Sequence, residues 1–182
     1  MVDTFSMSQK SVTILTTGGT IEKSYNEFDG SLKNRQSRLK KRLLARLRLP
    51  HTKVSLKEVM AKDSLHLTEE DRDSIWRCIS DEFKKEQPII VLHGTDTMEI
   101  TASFCFDHCK EPPVPVVFTG AMKPMGFEDS DAAQNFIEAM MVCHIVEPGF
   151  YISFHNQLFK VPDVRKNRQR RTFDFKNKSL IE

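Results

Sequence analysis

Thr20 and Thr95 each follow a glycine at the end of a short apolar run, and a carboxylate, Asp96, stands beside the second. A threonine hydroxyl is a poor nucleophile until a base or a strong hydrogen-bond acceptor lies next to it. A buried hydroxyl and a buried carboxylate also cost free energy unless they are paired. A ligand carrying an amine and a carbonyl would pair with both. Simpler readings stand beside this one. Residues 17–21 (TGGTI) also fit a tight loop with a threonine cap, and Asp96 or Thr97 also fits the N-cap of a helix. Thr97 is the expected cap. The glycines match neither the G-x-G-x-x-G dinucleotide fingerprint nor a P-loop, because no Gly-Lys-Ser/Thr follows.

The elements around these residues would bring them together. Residues 12–17 (VTILTT) are short, apolar and β-branched, as a buried strand requires. Residues 52–60 alternate weakly and read as a second strand, and residues 88–92, 115–119 and 149–154 as three more. Thr68 opens a helix with acids in its first turn and with Ile75, Trp76, Ile79 and Phe83 on one face. Residues 97–110 and 129–146 read as further helices, and beyond Lys160 the chain reads as basic and irregular. This alternation predicts an α/β fold: a doubly wound, flavodoxin-like or Rossmann-like, mostly parallel sheet with helices on both faces. Residues 1–182 are expected to form a single domain with a basic lid-like segment at about 24–50. Ligands in such sheets bind beyond the carboxyl ends of the strands, near the reversal in strand order. That singles out Gly18-Gly19-Thr20, His93-Gly94-Thr95-Asp96, Gly120-Ala121-Met122 and the segment after Phe154.

Composition narrows the classes. Hydrophobic residues make up 39% and charged residues 29%, as in an ordinary globular protein. No apolar run approaches the ~18 residues of a membrane helix. The N-terminus lacks a charged stretch followed by an apolar one, so no secretory leader is expected. Cys78, Cys105, Cys109 and Cys143 fall in helical segments and read as reduced thiols of a cytoplasmic protein. Cys105, His108 and Cys109 have metal-binding types, but no second ligand pair appears at zinc spacing, so core packing is the expectation, as it is for Cys143-His144. His93 and His155, at strand ends, could steady a site from behind. The net charge is +2, yet residues 31–50 hold eight Lys or Arg and no acid, which leaves the rest of the chain net acidic. An amphipathic lid helix packing Leu39, Leu43, Leu44 and Leu47 inward explains this segment, and an anionic partner, nucleic acid or a membrane surface, is the alternative.

Three stretches in order, TGGTI, HGTDTM and TGAMKP at the ends of successive strands, resemble the paired-threonine signatures of the bacterial-type L-asparaginase family. DSLHLTEED is similar to that family's substrate-binding serine segment, and DVRKN puts Lys166 where the family has its catalytic lysine. The resemblance runs from about residue 12 to 175. It implies hydrolysis of L-asparagine to L-aspartate and ammonia, without cofactor or metal. Thr20 would attack the side-chain amide carbon, with Tyr25 of the lid loop assisting. Thr95, Asp96 and Lys166 would form a second triad, in which the lysine acts on Thr95 and Thr95 activates water. Asp96 would also hold the α-ammonium. Ser64, with N–H groups around Gly19 and Ser64, would hold the α-carboxylate, and the Ala121 carbonyl would accept from the leaving amide nitrogen. A homo-oligomer, dimer or tetramer, is implied.

The spacing of Tyr25 from Thr20 is shorter than in longer members. The family's C-terminal domain has no counterpart in these residues, so a short single-domain form is expected. Competing functions are a glutaminase or another small-amide amidohydrolase, and a non-catalytic relative that binds a ligand or nucleic acid.

Overall fold

The computed structural model describes residues 9–25, 28, 32–34 and 44–176. Its centre is a six-stranded sheet built from β1 (Lys10–Gly18), β4 (Thr52–Lys62), β5 (Ile89–Leu92), β6 (Pro115–Thr119), β7 (Gly149–Phe154) and β8 (Gln157–Lys160), in the order β4-β1-β5-β6-β7-β8. Every neighbouring pair is parallel except β7–β8. From β1 the chain pairs outward with β4 and then crosses to the other side for β5, so the strand order reverses between β1 and β5. Two small antiparallel pairs accompany the sheet, β2 (Lys23–Tyr25) with β3 (Leu32–Asn34), and the hairpin of β9 (Arg165–Asn167) with β10 (Thr172–Asp174).

Period-2 alternation divides the strand side chains between two cores. Leu15, Ile89, Val91, Val116, Phe118, Phe150, Ile152 and Phe154 face one layer, with α1 (Glu69–Glu82) and α2 (Met98–His108) packed over them through Ile75, Ile79, Met98, Ala102 and Cys105. Val12, Ile14, Ile90, Leu92, Val117 and Tyr151 face the other, covered by Ala132, Phe136, Ala139 and Met140 of α3 (Ala132–Val142). Most of these side chains are sealed from solvent, each worth about 1.5–3 kcal/mol of transfer free energy. The expected doubly wound α/β fold, with helices on both faces, is the fold observed.

The expected strands at 115–119 and 149–154 appear with those bounds, and Trp76 of α1 and Phe83, just past its end, are half-buried beside Ile75 and Ile79. Two expectations need correction, and one strand is unexpected. The helix read over 129–146 spans only Ala132–Val142, because Asp129–Asp131 belong to the loop that precedes it and Cys143–Ile145 form a turn. The segment beyond Lys160 is an ordered hairpin. Residues 157–160, unread in the sequence, form the antiparallel edge strand β8. Of the basic segment, Leu44 and Leu47 pack against the second core as expected, while Leu39 and Leu43 lie outside the described residues. The described part forms a 3₁₀ turn at Leu44–Arg46.

Candidate active site

β1 ends in a turn through Gly18 and Gly19, whose φ angles of 95° and 83° suit glycine alone. A Cβ on Gly19 would lie 2.4 Å from the Gly94 Cα, and one on Gly94 would lie 2.5 Å from the Ser64 Oγ. The ends of β1 and β5 therefore touch backbone to backbone, with the turn after β4 pressed against them. The residues beyond them, Thr20 and Thr95, open at neighbouring strand ends, beside the reversal in strand order. Thr20 is half-buried; Thr95 and Ser64 are buried.

Lys166 closes the group from a distant part of the sequence. Its Nζ donates to Thr95 Oγ1 at 2.8 Å and to Asp96 Oδ1 at 2.8 Å, with a lysine side chain only 9% exposed. The hairpin explains its placement: Lys166 pairs in register with Phe173, which is buried against Phe154. Thr95 Oγ1 also reaches the Met122 Sδ at 3.6 Å, which ties in the third motif. Arg168, just past β9, donates from Nη1 to the same Asp96 Oδ1 at 2.9 Å. Burial pushes the Asp96 carboxyl up, but the hydrogen bonds and charges of Lys166 and Arg168 outweigh it and hold the group below the usual carboxylate range.

A second acid lies behind the lysine. Burial pushes the Glu99 carboxyl up, against the lowering effect of the Glu99 and Lys166 backbone N–H groups. Its Oε2 is buried and has no hydrogen-bond partner among the described residues.

The loop after β6 is held by a network on the opposite face. Asp131 accepts from the N–H groups of Met122 and Lys123 at 3.0 Å and from His155 Nε2 at 3.0 Å. Asn135 Nδ2 donates to the Gly120 carbonyl at 3.0 Å and to Asp131 at 2.9 Å, and its Oδ1 accepts from the His155 N–H. The carboxylate can only accept, so Nε2 of His155 carries the proton and Nδ1 faces the Thr172 hydroxyl at 3.1 Å. Ala121, buried, sits inside this clamp. Burial pushes the Asp131 carboxyl up, and the N–H groups of Met122 and Lys123 and the His155 ring together pull it lower still.

Thr20, Thr95, Asp96, Lys166, Gly19, Ser64 and Ala121 thus gather at the carboxyl ends of β1, β4, β5 and β6 and on the hairpin. The Gly19 N–H donates to the Lys62 carbonyl at 3.0 Å, and the missing side chain of Gly19 lets the backbones approach. One expectation is corrected. Thr97 occupies the N-cap of α2 without capping it, because its hydroxyl donates to the Ser64 carbonyl at 2.9 Å. The Ser64 Oγ is buried and has no hydrogen-bond partner among the described residues. The Tyr25 side chain lies outside the described residues. His93 is fully buried with Nδ1 on its own neighbour's carbonyl, Gly94 O, at 2.8 Å. The described residues contain no cluster of three potential metal ligands, and Cys105 and Cys109 are free thiols.

Arg168, Glu99, Asp131 and Asn135 escape sequence reading. Three of them still leave a trace: Arg168 follows Lys166 at the strand period of two, and Asp131 and Asn135 are one helical turn apart.

The Asparaginase, N-terminal family model matches residues 11–181. The L-asparaginase of Thermococcus kodakarensis is 32% identical over 106 residues, which is 58% of this chain and 32% of the relative. A glutamyl-tRNA(Gln) amidotransferase component from Thermoplasma volcanium is 31% identical over 139 residues, 74% of this chain and 33% of the relative. The solved structure of the thermostable L-asparaginase from Thermococcus kodakarensis matches with a TM-score of 0.79 at 27% identity, over 91% of this chain and 51% of that one. The chain spans about a third of the length of those curated relatives and about half of that structure. With a family model running through nearly all of its residues, the chain belongs to the asparaginase family, in the part that forms the N-terminal domain.

Proposed function

We propose that this chain is an amidohydrolase of the L-asparaginase type, cleaving L-asparagine to L-aspartate and ammonia through Thr20. The observation that carries the reading is the junction of Lys166 Nζ with Thr95 Oγ1 and Asp96 Oδ1, across a separation of about 70 residues. An isolated helix cap needs no buried lysine. A water-activating hydroxyl does, since the lysine that donates to Thr95 Oγ1 can relay a proton to and from it.

In this mechanism the Thr20 oxygen bonds to the side-chain amide carbon, and ammonia leaves with the threonine proton. The acyl-threonine then takes a water activated by Thr95 and Lys166, which frees aspartate and restores the Thr20 hydroxyl. The unpartnered Ser64 hydroxyl supports a role in holding the substrate carboxylate, and the clamped Gly120–Met122 loop supports a role for the Ala121 carbonyl. The reading includes a cytoplasmic homo-oligomer, dimer or tetramer, in which a second copy would cover the apolar stripe of Ile137, Met141 and Ile145.

Ammonia release from asparagine by the wild type, beside Thr20→Ala and Thr95→Ala, tests the assignment. Each variant should lose activity by about 10²–10⁴-fold. Undiminished turnover in both would remove the site from consideration. Glutamine is assayed in parallel, since one methylene is worth only about 1–3 kcal/mol of discrimination.

A further inference from the structure

Asp96 is the acid expected to receive an α-ammonium, yet one of its oxygens already holds two cations. Lys166 Nζ is 2.8 Å from Oδ1 and Arg168 Nη1 is 2.9 Å from the same atom. Two positive groups thus surround one negative group. Glu99, half-buried, feels the charges of both Lys166 and Arg168 and offsets part of them, but it does not replace either cation on Oδ1, and Asp174 is occupied by Asn167 at 2.6 Å and Arg170 at 3.1 Å.

Arg168 is not a loose surface cation that happens to touch the carboxylate. Its turn is braced on both sides: Asn167 Oδ1 accepts from the Arg170 N–H at 2.9 Å, and Arg171 adopts φ of 53° to close the hairpin. The guanidinium side chain is 67% exposed, so its remaining N–H groups are open to solvent or an incoming ligand. An incoming ammonium would have to displace this guanidinium or sit beside it as a like charge. A neutral acylated nitrogen faces no such repulsion, and its carbonyl would accept from Arg168.

We infer that Arg168 is a specificity-determining residue that turns the site toward side-chain amides whose α-nitrogen is acylated or absent, and away from those with a free α-ammonium. The inference rests on the amidohydrolase reading for its catalytic form. Its binding form stands without turnover.

The experiment compares L-asparagine, N-acetyl-L-asparagine and succinamate as substrates of the full chain. In parallel, calorimetry measures binding of L-aspartate, N-acetyl-L-aspartate and succinate. Wild type, Arg168→Gln and Arg168→Lys are used, since the exposed side chain can be changed without disturbing the core. Wild type should favour the two ligands lacking an ammonium in each set. Arg168→Gln should shift the preference toward the ammonium-bearing ligand by about tenfold, through KM and Kd with kcat little changed. Arg168→Lys should retain the wild-type order. An unchanged ratio in Arg168→Gln, a wild-type preference for L-asparagine and L-aspartate, or no binding of any ligand overturns the inference. Binding that follows the expected order without ammonia release sinks the amidohydrolase reading alone.

Discussion

At the scale of single residues, the site is governed by how two cations share one carboxylate oxygen. Lys166 is nearly enclosed, and its ammonium has two oxygen acceptors, Thr95 Oγ1 and Asp96 Oδ1. Replacing it by methionine keeps most of the length of the stem and removes the donor. Asp96 then still has Arg168, so the fold should survive while kcat falls by about 10²–10⁴-fold. Steady-state turnover measured with a thermal melt checks this, and a kcat within about threefold of wild type would remove Lys166 from the mechanism. Thr20, Thr95 and Asp96 are legible in the sequence because each sits where an apolar run stops. Lys166 is legible only through the motif resemblance, since DVRKNRQRR by itself reads as solvated charge. Arg168 leaves only its two-residue offset from Lys166. Which arginine of that run turns inward depends on the hairpin register that pairs Lys166 with Phe173, and register is a property of the partner strand.

At the scale of elements, the helix starts near the site give up their caps to serve it. α1, which starts just beyond the Ser64 turn, keeps a complete capping box between Thr68 and Asp71. Thr97 and Asp131 occupy the N-caps of α2 and α3, yet neither side chain caps. Thr97 holds the Ser64 turn, and Asp131 holds Met122 and Lys123. This explains why strand bounds follow from the sequence while the start of α3 does not. A strand ends where its apolar run ends, but a helix start depends on where its capping groups are spent. Asp131→Ala should therefore cost more than a lost cap. It strands the Met122 and Lys123 N–H groups and the His155 ring, a loss of about 2–4 kcal/mol. It should also lower kcat/KM by about tenfold through the displaced loop. Denaturant midpoints with kcat/KM on asparagine test both effects. A variant with unchanged stability would show that the network is ornamental.

At the scale of the whole molecule, the sheet stores a pH dependence in His93, which lies between the two cores at the strand end nearest the site. Burial, with the Arg72 charge adding to it against the Gly94 hydrogen bond, pulls the imidazole down from 6.5 to about 4. Nδ1 donates to the Gly94 carbonyl, so the neutral ring leaves Nε2 bare, and Nε2 is buried without a partner among the described residues. Between those two values the unfolded chain takes up a proton that the folded chain refuses. The stability present above pH 6.5 therefore falls as the pH drops through this window, by roughly 3 kcal/mol at its lower end. The depressed carboxylates Asp71, Asp96 and Asp131, each lowered from 3.8, lose their contributions beneath this window, while Glu82, lowered from 4.5, starts to lose its contribution at the window's lower end. His144, pulled down by burial and by Lys10, adds in the same direction as His93, whereas Glu99, pushed up by burial, acts against both. His93→Gln isolates the central histidine, because the amide still donates to Gly94 and does not titrate. Guanidinium unfolding at about pH 7 and about pH 4.5 should then show the wild type losing roughly 2–3 kcal/mol more than the variant. Equal losses would mean that the imidazole finds a proton acceptor, or water, inside the folded sheet.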